Sequence, residues 1–533
     1  MARSVSESVQ VWLFRAVAGV LFLFFRLLSP RRDALLRNKL QPVVDPLLLR
    51  SAAQLSRKIR RKEVSSVEVV QAYINRIQEV NPLVNALVKD RFDAALQEAA
   101  QADKLIGEQT DGEVLEERLP LLGVPLSVKE SLALQGMPQT TGLVSRRGIV
   151  STADCPTVAL LKRAGAIPLG VTNVPVLCMW FESHNHLYGI TRNPYDLERT
   201  PGGSSGGEAS LIAAGGSVVG IGSDIGGSIR MPCFFTGIFG HKPTPGVVSI
   251  DDTYPPCTGR QMEYNCIGPL CRYAEDLLPM MKIMAGPNAH MLSLNKKVNV
   301  KKLRFFTVPH NSGCIMMSPV SKELLHIQKK VVERLQADLG VKVQEVRFPE
   351  LRYSFQIWDA YMGLPDKEGK HPQPFTELLG EPGRPVRPLW ELLKWIVGKS
   401  QQTMAAIILF LLLTVYAAFK PSSDFIQQKK EKLQKEMEEL LGEDGVFLYP
   451  SHPRVAPKHH HPLFTPFDFG YTGIINILGL PVTQCPLGLG EEGLPLGVQV
   501  VGGKLQDHLT LEVALYLEKT FGGWRDPGAK KPS

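Results

Sequence analysis

Pro201 to Pro232 reads PGGSSGGEASLIAAGGSVVGIGSDIGGSIRMP. Two Gly-Gly-Ser units lie 24 residues apart in it, ending at Ser204 and Ser228. Between them runs SVVGIGSD, an apolar stretch of strand length. Glycines beside a serine open backbone conformations closed to other residues and let a second molecule approach the main chain. Consecutive N–H groups in such a loop can converge on a negative oxygen. A flexible Gly/Ser linker is excluded, because the strand-like core, Asp224, Arg230 and the prolines make the segment non-repetitive. A phosphate loop is disfavoured, since no Gly-Lys-Ser/Thr follows and no G-x-G-x-x-G opens a helix. Gly202–Gly206 satisfies the nucleophile-elbow pattern G-x-S-x-G. An elbow needs a strand directly before it, however, and Arg199-Thr200-Pro201 is a turn.

Outward from this segment, short apolar runs alternate with helical periodicity. Strand-like runs occur at Leu121–Val128 (LLGVPLSV), Ala166–Thr172 and Ser217–Gly222, with a helical pattern at Thr157–Arg163. VFLYP, LGLPVTQCPLG and LPLGVQVVG repeat the style between Val446 and Val501. Ser65-Ser66-Val67-Glu68 forms a capping box ahead of Val67, Val70, Ile74 and Ile77, the apolar face of a helix that Asn81-Pro82 is expected to end. A second helix is predicted over Phe92–Leu105, and a charged one over Asp424–Leu441. Such alternation predicts an α/β sheet with helices on both faces. The 533 residues, 44% hydrophobic and 21% charged, rule out disorder as the main state. The eight cysteines sit singly with no CxxC pair, against both a disulfide scaffold and a zinc ribbon. A scattered net charge of +8 calls for no nucleic acid.

A serine nucleophile needs a base. The histidines offer little: His241 lies in GHKP, and His459, His460 and His461 are consecutive, so they cannot all converge on one ion from a regular element. Lysine serves if burial disfavours its ammonium form. Lys129 ends the run LLGVPLSV, at the carboxyl end of a predicted strand, where sites of open α/β sheets lie. A surface lysine at a strand end is the competing reading.

Two stretches concentrate apolar residues. Val9–Leu28 contains ten uncharged residues, Ala16–Phe25, between Arg15 and Arg26. Ten helical residues rise only about 15 Å, so spanning requires both arginines to snorkel. An uncleaved anchor or monotopic hairpin is expected, with a signal peptide or a buried helix as alternatives. Met404–Phe419, MAAIILFLLLTVYAAF, is uncharged throughout and competes between a buried core helix and a membrane-inserted one. Lys530-Lys531 near the C-terminus has the spacing of a dilysine retrieval signal, but a solvated tail is the favoured reading.

Lys129 in GVPLSVKE, Ser204 in PGGSSGGE and Ser228 in GSDIGGSIRMP, in this order and spacing, resemble the amidase signature family. GIFGHKPTPG and GPLCRYAEDL agree with it, and the likeness covers roughly Leu48 to Gly522. Within the family, the N-terminal apolar segment, AYINRI, FLYPSHP and YLEKTFGGW are most similar to the vertebrate fatty-acid amide hydrolases of the second type. The resemblance implies one large α/β domain over residues 48–522, with a central mixed twisted sheet flanked by helices. An anchor and linker at 1–47 precede it, a hydrophobic membrane-facing insertion interrupts it at about 385–420, and a polar tail at 523–533 follows. It also implies a Ser–Ser–Lys triad. Ser228 is the nucleophile, Ser204 the bridging serine after a cis peptide from Gly203, and neutral Lys129 the base. The N–H groups of Ile225, Gly226, Gly227 and Ser228 form the oxyanion hole, and Ser205 is a supporting hydrogen-bonder. No metal or cofactor is implied. Expected substrates are lipid amides, such as oleamide and anandamide, cleaved to fatty acid and ammonia or amine. The expected location is a membrane, of the endoplasmic reticulum or a lipid droplet, with a single N-terminal membrane segment and a homodimer as an allowed assembly. A glutamine-hydrolysing amidotransferase subunit and a catalytically silent membrane adaptor are the alternatives.

Overall fold

The computed structural model describes residues 39–108, 112–308, 316–380, 383–417 and 420–529. The expected membrane segment Val9–Leu28 and the dilysine tail lie outside them. Eleven strands form one mixed sheet: β1 (Leu87–Asp90), β2 (Pro125–Lys129), β3 (Ile167–Thr172), β6 (Val219–Asp224), β7 (Phe239–Lys242), β8 (Cys266–Cys271), β9 (Arg304–Thr307), β10 (Val343–Glu345), β11 (Gly445–Tyr449), β12 (Val482–Leu489) and β13 (Pro495–Gly502). The order across it is β1-β3-β2-β6-β8-β7-β12-β13-β11-β9-β10. Two short strands, β4 (His184–Asn185) and β5 (Gly189–Ile190), pair separately. β2 runs parallel to both β3 and β6, and β6 then pairs antiparallel with β8.

β2, β3, β8, β11 and β13 are buried at every residue. Helices therefore cover both faces, which explains why these strands read as continuous apolar runs. The predicted α/β class and the mixed sheet are observed. The Ser65 capping box forms, with Ser65 and Glu68 each accepting the other's backbone N–H. The helix it opens does not stop at Asn81-Pro82 but runs Ser66–Val84. In the last turn proline forfeits only one backbone hydrogen bond, and Asn81 Oδ1 accepts from the N–H groups of Ala86 and Leu87 just beyond the helix end. Asn85, at φ 49°, ends the helix.

The uncharged stretch at 404–419 forms the helix Met404–Ala417, and protein covers much of it. Ala406 and Phe410 pack with Val176 and Leu177, Ile408 and Leu412 with Leu463, and Tyr416 with Phe355 and Phe467. The exposed apolar surface lies instead on the preceding helix, Pro388–Ile396. Leu389, Trp390, Leu393, Ile396 and Val397 are each more than half exposed, at spacings that make one helical stripe. Among the described residues no helix is long and apolar enough to cross a membrane.

Candidate active site

The parallel neighbours β2 and β6, which pair Val128 with Ile221, set Lys129 and Ser223 side by side at their carboxyl ends. Lys129 ends β2 and is fully buried, which removes the surface-lysine reading. Its Nζ lies 2.7 Å from Ser204 Oγ, 2.9 Å from Ser223 Oγ and 3.3 Å from the Ser223 carbonyl oxygen. Burial pushes its pKa down, against the opposing pull of Cys178, Asp224 and Glu208. The carboxyl of Glu208 accepts from the hydroxyls of Ser127 and Thr172, and burial raises its pKa to about 8.

Ser204 precedes the buried helix Gly206–Ala213, and the peptide joining it to Gly203 is cis. Only glycine fits at 203, since a Cβ there would stand 2.6 Å from the Trp180 carbonyl oxygen. Ser205 donates its backbone N–H to the Ser228 carbonyl at 3.1 Å, which ties the two Gly-Gly-Ser loops together. Ser228 is partly accessible.

Between β6 and the helix Arg230–Thr236, residues 225–229 wrap around the Asp224 carboxylate. Asp224 accepts from the N–H groups of Gly227 at 2.7 Å and Ile229 at 3.0 Å. Arg230 adds Nε at 3.0 Å and Nη2 at 2.9 Å, and Asn476 adds Nδ2 at 3.0 Å. Burial alone would raise the Asp224 pKa. The Arg230 guanidinium outweighs it and holds the carboxyl below the usual range. The N–H groups of Ile225, Gly226 and Ser228 have no acceptor among the described residues. Gly227 differs from the sequence expectation, because its N–H is committed to Asp224 and is not available to a substrate oxygen.

Three contributors escape sequence reading. Ser223, within the quoted segment, reads only as a strand residue. Glu208 sits in PGGSSGGE without a partner in view. Asn476 lies far along the chain. The histidine run forms a loop in which buried Glu182 accepts from His459 Nδ1 at 3.2 Å and from the backbone N–H of His460 at 2.9 Å. Among the described residues no group of three or more His, Cys, Asp or Glu is placed to hold a metal ion.

Comparison with known proteins gives the chain its family. A family model described as Amidase matches residues 68–511. Fatty-acid amide hydrolase 2-A of Danio rerio is 67% identical, over 97% of this chain and 97% of its own. Fatty-acid amide hydrolase 2 of Homo sapiens is 52% identical, over 99% of this chain and 100% of its own. A solved fatty acid amide hydrolase shares the fold, with a TM-score of 0.70 at 21% identity, covering 97% of this chain and 95% of that one. The chain belongs to the amidase family and is an amide-hydrolysing enzyme.

Proposed function

We propose that this enzyme is a membrane-associated serine hydrolase that cleaves fatty-acid amides to free fatty acid and amine or ammonia through Lys129, Ser204 and Ser228. The observation that carries the reading is the buried 2.7 Å contact between Lys129 Nζ and Ser204 Oγ. A neutral lysine has two N–H groups and one lone pair, and burial favours that form. The Ser223 carbonyl can only accept, and Ser223 Oγ takes the second N–H. The lone pair then faces the Ser204 hydroxyl. Lys129 takes the Ser204 proton as Ser204 takes that of Ser228, and Ser228 Oγ attacks the amide carbonyl. Run backwards, the same relay protonates the amine nitrogen so that the C–N bond can break. Water then hydrolyses the acyl-enzyme with the same base. The oxyanion would fall to the free N–H groups of Ile225, Gly226 and Ser228. One such donor is worth about 3 kcal/mol.

Two things support a lipid substrate. The relatives named above carry the activity in their names. The stripe from Leu389 to Val397 offers an apolar face suited to the headgroup boundary of a bilayer. Each CH₂ of an acyl chain buried in the enzyme contributes about 0.8 kcal/mol, so a long chain supplies most of the binding.

The test is Ser228→Ala. Hydrolysis of a long-chain primary amide and labelling by a fluorophosphonate should both vanish while circular dichroism and thermal melt stay unchanged. Retained hydrolysis in the variant would remove Ser228 from the mechanism. A folded wild type that neither labels nor hydrolyses would favour the silent adaptor.

A further inference from the structure

The donors of the loop at 225–228 must point at one place before substrate arrives, and something outside the loop must hold them there. A peptide unit is planar, with its C=O and the following N–H directed oppositely, so fixing a carbonyl aims the next N–H. The peptide between Gly226 and Gly227 is fixed from both sides. Thr472 Oγ1 lies 2.7 Å from the Gly226 carbonyl, and Asp224 takes the Gly227 N–H. The peptide between Ile225 and Gly226 is held differently. Its carbonyl accepts from Trp358 Nε1 at 2.8 Å, and its N–H, that of Gly226, is free.

Trp358 is on the helix Ser354–Met362, over a hundred residues further along the chain. Its ring stands edge-on to Phe469, centroids 4.8 Å apart, and Phe469 is itself edge-on to Phe355 at 5.9 Å. The approach is close. A Cβ on Gly226 would lie 3.3 Å from Trp358 Nε1, and one on Gly473 would lie 3.0 Å from its Cδ1. Thr472 is the weaker clamp, because its single hydroxyl proton is divided between the Gly226 carbonyl and that of Phe469 at 2.8 Å. The indole N–H has one acceptor.

We infer that Trp358 is the positioning residue of the oxyanion hole: by holding the Ile225 carbonyl outward, its indole N–H aims the Gly226 N–H at the substrate oxygen. The inference rests on the amidase reading above. It predicts that loss of the indole N–H alone weakens transition-state binding and leaves ground-state binding intact.

The experiment replaces Trp358 with benzothienylalanine, an isostere carrying sulfur in place of the N–H, and in parallel makes Trp358→Phe. The isostere keeps the shape, so it remains informative if the Phe variant folds poorly. kcat on a long-chain primary amide should fall about tenfold to a hundredfold, less than the ~10²–10³ that loss of an oxyanion donor itself costs. KM should stay within about twofold. Affinity for a trifluoromethyl ketone of the same chain, which forms a tetrahedral adduct with the serine, should fall in parallel with kcat. Binding of the amide to the isostere in a Ser228→Ala background should not change. An isostere with wild-type kcat overturns the inference, as does an equal loss of ground-state and analogue binding, which would make Trp358 a packing residue only. A wild type that does not hydrolyse the amide sinks the fatty-amide reading first, and the two failures are thereby distinguished.

Discussion

Asp224→Asn removes one of two opposite charges from a site where neither side chain has any solvent exposure. Arg230 would keep its neutral acceptors, the Thr472 carbonyl at 3.0 Å and Gln499 Oε1 at 2.7 Å, but would lose its counter-charge. Breaking a buried pair in this way costs about 3–5 kcal/mol, a large part of the ~5–15 kcal/mol by which folded proteins are stable. Urea unfolding followed by fluorescence should therefore give a much lower midpoint for the variant. The gap also has a pH signature. The Asp224 pKa is depressed in the folded state, so its contribution is complete above the unfolded value of about 4 and fades as the pH falls below it. Wild type and variant should accordingly converge in acid. Replacing both partners, Asp224→Leu with Arg230→Met, exchanges the pair for apolar bulk, which is often neutral or stabilising. Here that double variant should regain only part of the stability and none of the activity, because the buried N–H groups of Gly227 and Ile229 still lack their acceptor. A single variant as stable as wild type, or a double variant hydrolysing amides at the wild-type rate, would refute the reasoning.

Other groups around the site give predictions of their own. With neutral Lys129 as base, kcat/KM should rise with pH through its lowered pKa. Lys129→Ala should cost about 10²–10⁴ and flatten that rise, and an unchanged profile would assign the base elsewhere. The Glu208 pKa is raised to about 8 in the folded protein, so its contribution to stability is full below the unfolded value of about 4.3 and is lost as the pH climbs to 8. Glu208→Gln should remove that slope. It should also be more active relative to wild type above pH 8 than at pH 7, because an ionised Glu208 favours the ammonium form of Lys129. Equal activity ratios at both pH values would contradict this coupling. Trp390→Glu with Leu393→Glu should slow hydrolysis of a long-chain amide presented in liposomes and spare hydrolysis of a short, water-soluble amide, and an unchanged rate on the liposomal amide would move the membrane contact elsewhere.

Lys129 and Ser204, which the structure brings to 2.7 Å, each sit in a local pattern: a lysine closing an apolar strand, and a serine flanked by glycines ahead of another strand. Ser223 belongs to the same run, yet its contact with Lys129 depends on the register of β2 with β6, a pairing between distant segments. Trp358, Thr472 and Asn476 left no signature. A hydrogen bond to a main-chain carbonyl asks only for a donor at one point in space, and helices far along the chain supply it. Gly227 misled for a related reason. Its place in the loop was readable, but the direction of its N–H is set by Asp224.

The two apolar segments of the insertion show where composition and periodicity part. An uncharged run reads alike whether its partner is lipid or protein, and for Met404–Ala417 the partners are Val176, Leu177, Leu463, Phe355 and Phe467. The Pro388–Ile396 helix carries Glu391 and Lys394, and those charges hide it from any search for uncharged stretches. Glu391 is buried, however, and is bound by Lys394 at 3.0 Å and by the Ser400 hydroxyl at 2.9 Å. The carboxylate thus lies on the inner face. The outer face is left to Leu389, Trp390, Leu393 and Ile396, a spacing of three and four residues that was present in the sequence all along. A membrane-facing helix on a globular enzyme must satisfy protein on one side and lipid on the other, so its mark is a stripe. A helix that is apolar on every side is suited to a buried position.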